Sequence, residues 1–545
     1  MGSIKHDLLL ASIDFSHRGL KQSAKWCAEQ AVNIPASPHL EIVDDYFSDV
    51  PPEEVPHLVF AKSLFDCKEF ERAANFLEDC SSPKCYFLRL FSIYMSGERK
   101  KMESATDVLG PSDHPSEHTA HLHKLQTELC SQSDLDGYCL YLLGVVLKRL
   151  SLADAARQAL ARALNKLPLL WAAWLELSTL ITEKPLLNTI SLPVKHWMYD
   201  VFIASVYLLL YMNVEAINAI SKVRDRLSHT PYILCLLGSA HSNLRDVDAA
   251  IECFSEARKI DPYRLEGMDG YSNVLFVKDS RVELASLAAS LYNIDKYRVE
   301  SCIAAGNLYS SRGNHDKAAT CFERALRLSP SCLAAWTLLG HELVELKQTA
   351  AAIQAYRRAV DVCPADARAW YGLGQTYEFL RMHQFALTYF QRAHCLRPND
   401  SRFLYALGIC YEGLDRPADA RRCFWRAYSV GDAEGNALLR FGRLLENVSE
   451  SQAAAVYLRY ISQAEERGVL DLSEQGAVYR FLATYYRKNE RLDEAYDMAV
   501  KCAQYVDTKE SGQALLRELA EARKDEQNSP NPAGDTIKTI SFDSS

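Results

Sequence analysis

Four histidines, His114, His118, His121 and His123, crowd one short polar stretch of this chain. On a helix, His114 and His118 share a face at i, i+4 spacing, and His118 and His121 do so at i, i+3. Either pair is spaced to hold a zinc ion. No cysteine or carboxylate completes a known ligand spacing, so these are read as solvated histidines of an insert. No metal or other cofactor is expected. His341-Glu342 does not open an H-E-x-x-H motif, because residue 345 is Glu. The chain has no Gly-rich phosphate loop and no G-x-S-x-G turn. An enzyme is not expected.

Other polar residues recur instead of clustering. Asn273, Asn307, His341 and Gln375 are each 34 residues apart, as are Tyr371 and Tyr405, and Glu378 and Glu412. Many charges on such a face are simply solvated. Amides, tyrosines and carboxylates on successive turns of one wall nevertheless suit an extended peptide carrying arginine. An arginine fork between Glu378 and Glu412 would gain charge-assisted hydrogen bonds. Tyr371 and Tyr405 would hold its apolar neighbours. These eight residues form the candidate peptide-binding groove.

The spacing comes from the elements beneath. Gly238, Ser272, Gly306, Gly340, Gly374 and Gly408 are also 34 apart, the period of tetratricopeptide repeats. With the glycine as repeat position 8, the unit from Leu333 has Trp336 at 4, Leu339 at 7, Ala352 at 20, Tyr356 at 24, Ala359 at 27 and Pro364 at 32. Small residues at 8 and 20 let two antiparallel helices cross closely. Large ones at 4, 7, 11 and 24 fill the flanks at helical spacing. Proline at 32 ends the second helix. The unit from Leu265 departs from this pattern, with Ser272 for glycine and Ala288 at position 24. The pattern decays outward on both sides to roughly fourteen units. The expected fold is all-α, a right-handed superhelical solenoid of tetratricopeptide helix-turn-helix repeats. Residues 1–200 would hold N-terminal repeats used for dimerisation, including a polar insert at 110–134. Residues 201–520 would form a C-terminal superhelix with the groove, and 521–545 a disordered tail.

Composition narrows the function further. A net charge of −9 argues against nucleic-acid binding, which wants a basic face. The longest apolar run, Val201–Met212, is about half of what spans a bilayer. The N-terminus is a poor signal peptide, and His6 breaks the myristoylation pattern behind Met-Gly. The sixteen cysteines form no C-x-x-C pair. Cys253, Cys321 and Cys423 all fall at position 23 and read as small buried apolar residues of a reducing compartment, hence nucleus and cytoplasm. Ser529-Pro530 is either a proline-directed phosphorylation site or an ordinary pair in a loose tail. The N-terminal residues Leu8–Leu10, Phe60, Leu64, Phe87, Leu90, Phe91 and Tyr94 are more apolar than a free solenoid end should show, which predicts a homodimer.

Position 5 of successive units holds Ile303, Thr337, Tyr371 and Tyr405, with no lysine to clamp a chaperone C-terminus. Several stretches depart from repeat consensus altogether. CYFLRLFSIYMSGERKK (85–101), DPYRLEGMDGYSNVLF (261–276), NIDKYRVESC (293–302), AWYGLGQTYEFL (369–380) and WRAYSVGD (425–432) resemble the family of the eighth subunit of the anaphase-promoting complex. The resemblance runs from about residue 8 to about 517. It implies a non-catalytic scaffold of a multisubunit ubiquitin ligase acting in mitosis, bound to other subunits of that complex. It also implies homodimerisation through N-terminal repeats and a groove for an arginine-containing coactivator motif, with Asn307 of GNLYS as a groove residue. The other adaptor reading is a tetratricopeptide co-chaperone or transport scaffold.

Overall fold

The helix pair Leu333–Glu345 and Thr349–Val362 shows how one repeat folds. A β-carbon on Gly340 would lie 2.5 Å from the Tyr356 ring. The same relation joins Gly238 to Phe254 at 2.7 Å, Gly306 to Phe322 at 2.5 Å, and Gly374 to Phe390 and Gly408 to Phe424, both at 2.4 Å. No side chain fits in so small a gap, so glycine is what lets the ring rest on the opposite backbone. The position-20 residues Ala250, Ala318, Ala352, Ala386 and Ala420 are fully buried. The atoms nearest each glycine nevertheless belong to the position-24 ring, a sharper role for that ring than the spacing suggests. Where position 24 is Ala288, the ring is gone and position 8 accommodates Ser272, which is fully buried.

The structure is a computed structural model that describes residues 2–33, 49–104, 119–132, 134–227, 230–432, 436–467 and 472–528. Every regular element among the described residues is helical, as the repeat pattern requires. The chain divides into two compact units, Met1–Val362 and Cys363–Ser545, a division that falls well after residue 200. Ser529-Pro530, His114 and His118 lie outside the described residues.

Two recurring contacts link consecutive elements. The first helices end on a left-handed residue at position 15: Arg245, Asp279, Gly313, Lys347, Arg381 and Asp415 have φ between 55° and 73°. The following amides close the helix end, with Gln348 N bonded to Leu343 O and Met382 N to Tyr377 O, both at 2.9 Å. These satisfy carbonyls that the helix leaves open. The position-4 tryptophans each donate their indole N–H to the proline carbonyl that ends the preceding repeat. Trp336 reaches Pro330 O at 2.8 Å, Trp370 reaches Pro364 O at 2.9 Å, and Trp174 reaches Pro168 O at 2.8 Å.

In the first unit, α1 (Gly2–His17) and α2 (Lys21–Asn33) precede α3 (Val55–Asp66), α4 (Phe70–Phe76), α5 (Pro83–Ser104) and α6 (Ala120–Ser131). Trp26 of α2 stacks on Trp171 at 4.4 Å, and Glu29 of α2 pairs with Arg264. Leu8, Leu64, Phe87, Leu90 and Tyr94 are buried in this packing. Most of the apolar surplus of the N-terminal repeats is therefore consumed inside the unit, which removes it as an argument for a dimer. Phe60 stays exposed, with Val59 and Phe76. The described end of the insert is α6, and its His121 ring lies over Gly97 of α5. Cys253, Cys321 and Cys423 are half-buried and form no disulfide, less enclosed than expected. Among the described residues no helix is long and apolar enough to cross a membrane.

Candidate peptide-binding faces

In the first unit, the first helices Met268–Val277, Val299–Ser311 and Leu333–Glu345 carry Asn273, Asn307 and His341. Asn273 and Asn307 are brought together. The Asn307 Nδ2 amide donates to Asn273 Oδ1 at 2.7 Å and to Ser272 Oγ at 2.9 Å. Asn307 is only 2% exposed. It ties adjacent repeats together instead of facing a ligand, which corrects its assignment as a groove contact. Asn273 is half-buried at the outer end of this bond. His341 is exposed, and its Nδ1 lies 2.8 Å from the Tyr356 hydroxyl.

The residue beside His341 was not singled out in the sequence, yet it is the more constrained of the two. Glu342 is buried; its carboxylate accepts from Ser310 Oγ at 2.8 Å and meets His315 Nδ1 at 2.8 Å. Position 10 gave no signal, because a buried carboxylate looks in sequence like any surface glutamate. One turn before Asn273, burial pushes the Asp269 carboxyl above its usual range, and Glu300 adds to the shift. Glu300 itself is held by Arg298 at 3.3 Å.

In the second unit, Ala367–Phe379 carries Tyr371, Gln375 and Glu378, and Ser401–Gly413 carries Tyr405 and Glu412. Tyr371 packs between Phe390 and Phe403, with ring centres at 5.4 and 5.1 Å. Tyr405 leans on Phe424 at 5.7 Å. Both tyrosines are half-buried, so each offers an edge and not a whole ring. Gln375 is exposed. Burial raises the Glu378 carboxyl above its usual range, against the opposing pull of Arg381 and Arg440. Among the described residues the Glu378 side chain has no hydrogen-bond partner. Glu412 lies 3.8 Å from Arg440 of the next first helix. An arginine of the chain itself thus stands beside the two carboxylates where a ligand arginine was expected.

The position-2 arginines are held back by their own helix caps. Asp366 Oδ1 accepts from the Arg368 backbone amide at 3.0 Å and from its Nε at 3.1 Å. Asp400 repeats this with Arg402 at 3.1 and 3.0 Å. The Asp-x-Arg spacing at a 34-residue interval was the available signal. What the second unit presents is an aromatic-edged face with one half-buried, unbonded carboxylate, suited to a cationic side chain.

Comparison with known proteins agrees with the repeats and is more specific. The profile described as "Anaphase promoting complex subunit 8 / Cdc23" matches residues 3–236. Tetratricopeptide profiles match 231–264, 299–332 and 340–378. The Arabidopsis thaliana "Anaphase-promoting complex subunit 8" is 40% identical over 54% of this chain and 51% of its own length. The Homo sapiens "Cell division cycle protein 23 homolog" is 46% identical over 53% of this chain and 49% of its own. The matched region thus spans about half the length of these relatives. The Caenorhabditis elegans "Cell division cycle protein 23 homolog" is 35% identical over 93% of this chain and 79% of its own. The solved structure described as "Crystal structure of APC/C hetero-tetramer Cut9-Hcn1" has a TM-score of 0.60 at 17% identity, covering 94% of this chain and 95% of that one; it shares the fold. With the alignment running through nearly the whole chain, and through the segments where the repeat consensus fails, the chain belongs to the anaphase-promoting complex subunit 8/Cdc23 family.

Proposed function

We propose that this chain is a non-catalytic scaffold and adaptor subunit of the anaphase-promoting complex, the ubiquitin ligase of mitosis, and that its main partners are other subunits of that complex. The observation that carries this reading is the alignment to the Caenorhabditis elegans relative over 93% of the chain. Stacked helix pairs supply long surfaces for partner proteins, which suits a scaffold. Affinity capture of the tagged chain from mitotic extract, read by mass spectrometry, tests it. Recovery of chaperones without ligase subunits would overturn it.

Two finer roles belong to this reading. The face of the second unit takes an arginine-containing coactivator peptide, with Glu378 as the receiving carboxylate, Gln375 and Glu412 beside it, and the Tyr371 and Tyr405 edges under the flanking apolar residues. Glu378 supports this, because a half-buried carboxylate without a hydrogen bond gains most from a cationic partner. Isothermal titration with the peptide and its Arg→Ala form decides the point; equal affinities would remove arginine recognition. The chain also forms a homodimer through the repeats of residues 1–200, where Val59, Phe60 and Phe76 are exposed. A monomer at micromolar concentration in light scattering would contradict the dimer.

A further inference from the structure

Three side chains of metal-ligand type converge between α3, α4 and α5, where the repeat pattern has no use for them. Glu54 stands before α3, Cys80 in the loop after α4, and Cys85 in the first turn of α5. A carboxylate oxygen and the two sulfurs all lie within 4.8 Å of one another. Cys85 is fully buried and Cys80 half-buried, and both are free thiols. The carboxylate is already aimed: Glu54 Oε1 accepts from Ser81 N at 3.0 Å and Ser81 Oγ at 3.1 Å, and Oε2 accepts from Ser82 N at 3.0 Å. These amides belong to the start of α5, where negative charge is favoured.

A cap alone would account for Glu54, but not for what surrounds it. Ser82 Oγ is enclosed, with the residue 4% exposed. It lies against both the Glu54 carboxylate and the Cys85 thiol. Two thiols and a carboxylate within 4.8 Å of one another, with a hydroxyl beside them, are the donor types that hold zinc.

We propose that Glu54, Cys80 and Cys85 form a zinc site, with a water held by Ser82 Oγ in the fourth position. Tetrahedral zinc at about 2.3 Å from sulfur and about 2.1 Å from oxygen sets its ligand atoms roughly 3.5–4 Å apart, so the triad needs to close by no more than about 1 Å. Binding of aqueous Zn²⁺ forms two Zn–S bonds and one Zn–O bond to the chain, keeps one of the ion's own waters as the fourth ligand, releases its other waters and the two thiol protons to solvent, and transfers no electrons. The amide bonds to Glu54 then act as the outer support that fixes a ligating carboxylate. The site joins the start of α3 to the start of α5 and staples the loop after α4. The sequence did not disclose it, because the cysteines are in C-x-x-x-x-C spacing and the glutamate stands a helix pair earlier.

The test uses the full chain, stripped with a chelator and titrated with Co²⁺ and then Zn²⁺. One equivalent of Co²⁺ should give thiolate charge-transfer and tetrahedral d–d absorption, and Zn²⁺ should displace it. The Cys80→Ser, Cys85→Ser double variant should lose the signal, and Cys67→Ser, at an exposed thiol, should keep it. Glu54→Gln should weaken binding at least about tenfold. If the double variant fails to fold, alkylation of Cys80 in the unaltered chain decides: Zn²⁺ should slow it at least about tenfold. An absent one-equivalent signal, a signal retained in the double variant, or Cys80 alkylation indifferent to Zn²⁺ would overturn the site.

Discussion

Asn307 bonds Asn273 side chain to side chain at 2.7 Å, joining position 9 of one repeat to position 9 of the next. The bond is buried on the Asn307 side, so its loss leaves Asn273 Oδ1 and Ser272 Oγ without their donor. Asn307→Ala should therefore destabilise the fold by about 1–3 kcal/mol, seen as a lower midpoint in urea unfolding. An unchanged midpoint would return Asn307 to the list of ligand contacts.

Phe390 rests on Gly374 so closely that a β-carbon would lie 2.4 Å away. Gly374→Leu and Ala386→Leu should each cost about 1–3 kcal/mol by overpacking. Ala386→Leu melting like the unaltered chain would show that the repeat register is misassigned.

Gly313 and Lys347 occupy the same left-handed turn position in adjacent repeats, at φ of 73° and 61°. A β-carbon at Gly313 meets nothing within 4 Å, so the effect of adding one is purely conformational. Gly313→Ala should destabilise by about 1 kcal/mol and Lys347→Gly should stabilise by up to about 1 kcal/mol. Thermal melting of both variants checks the opposite signs.

Glu378 gives a pH signature. Its carboxyl is raised by burial above the ordinary 4.5, so the folded state holds the proton more tightly than the unfolded chain. Its contribution is then most favourable below pH 4.5 and is lost as pH rises through the folded value. Glu378→Gln should raise the melting temperature at pH 7, and the gain should shrink as pH falls toward 4.5. An arginine peptide bound there should release protons from the raised carboxyl, measurable as a buffer-dependent heat. A gain of the same size at both pH values would exclude Glu378 as its source.

Arg440 lies 3.8 Å from Glu412 and competes with the proposed ligand arginine for that carboxylate. Arg440→Ala should tighten binding of an arginine peptide several-fold, since about 1 kcal/mol or less is expected from a half-exposed pair. Weaker binding in that variant would mean that Arg440 itself contacts the peptide.

The sequence by itself determined the repeat. Glycine and alanine at fixed intervals, apolar residues at helical spacing, and a proline after each second helix leave little but stacked helix pairs, because each signal acts within a few turns of chain. The family was legible too, in segments such as DPYRLEGMDGYSNVLF that repeat statistics do not produce. What only the tertiary structure decided was which polar residues of those helices are spent inside. Asn307 and Gln375 occupy the same repeat position, yet one is sealed against Asn273 and the other is exposed, because the neighbour at position 8 is Ser272 in one case and the partner acceptor is present. Glu342 and Glu412 are both glutamates of first helices, at repeat positions 10 and 12, and differ in burial. Burial and partner choice depend on atoms a whole repeat away, and no local spacing carries that information. The meeting of Glu54, Cys80 and Cys85 is of the same kind: three residues of ordinary type that only the packing of α3 against the start of α5 brings within reach of one ion.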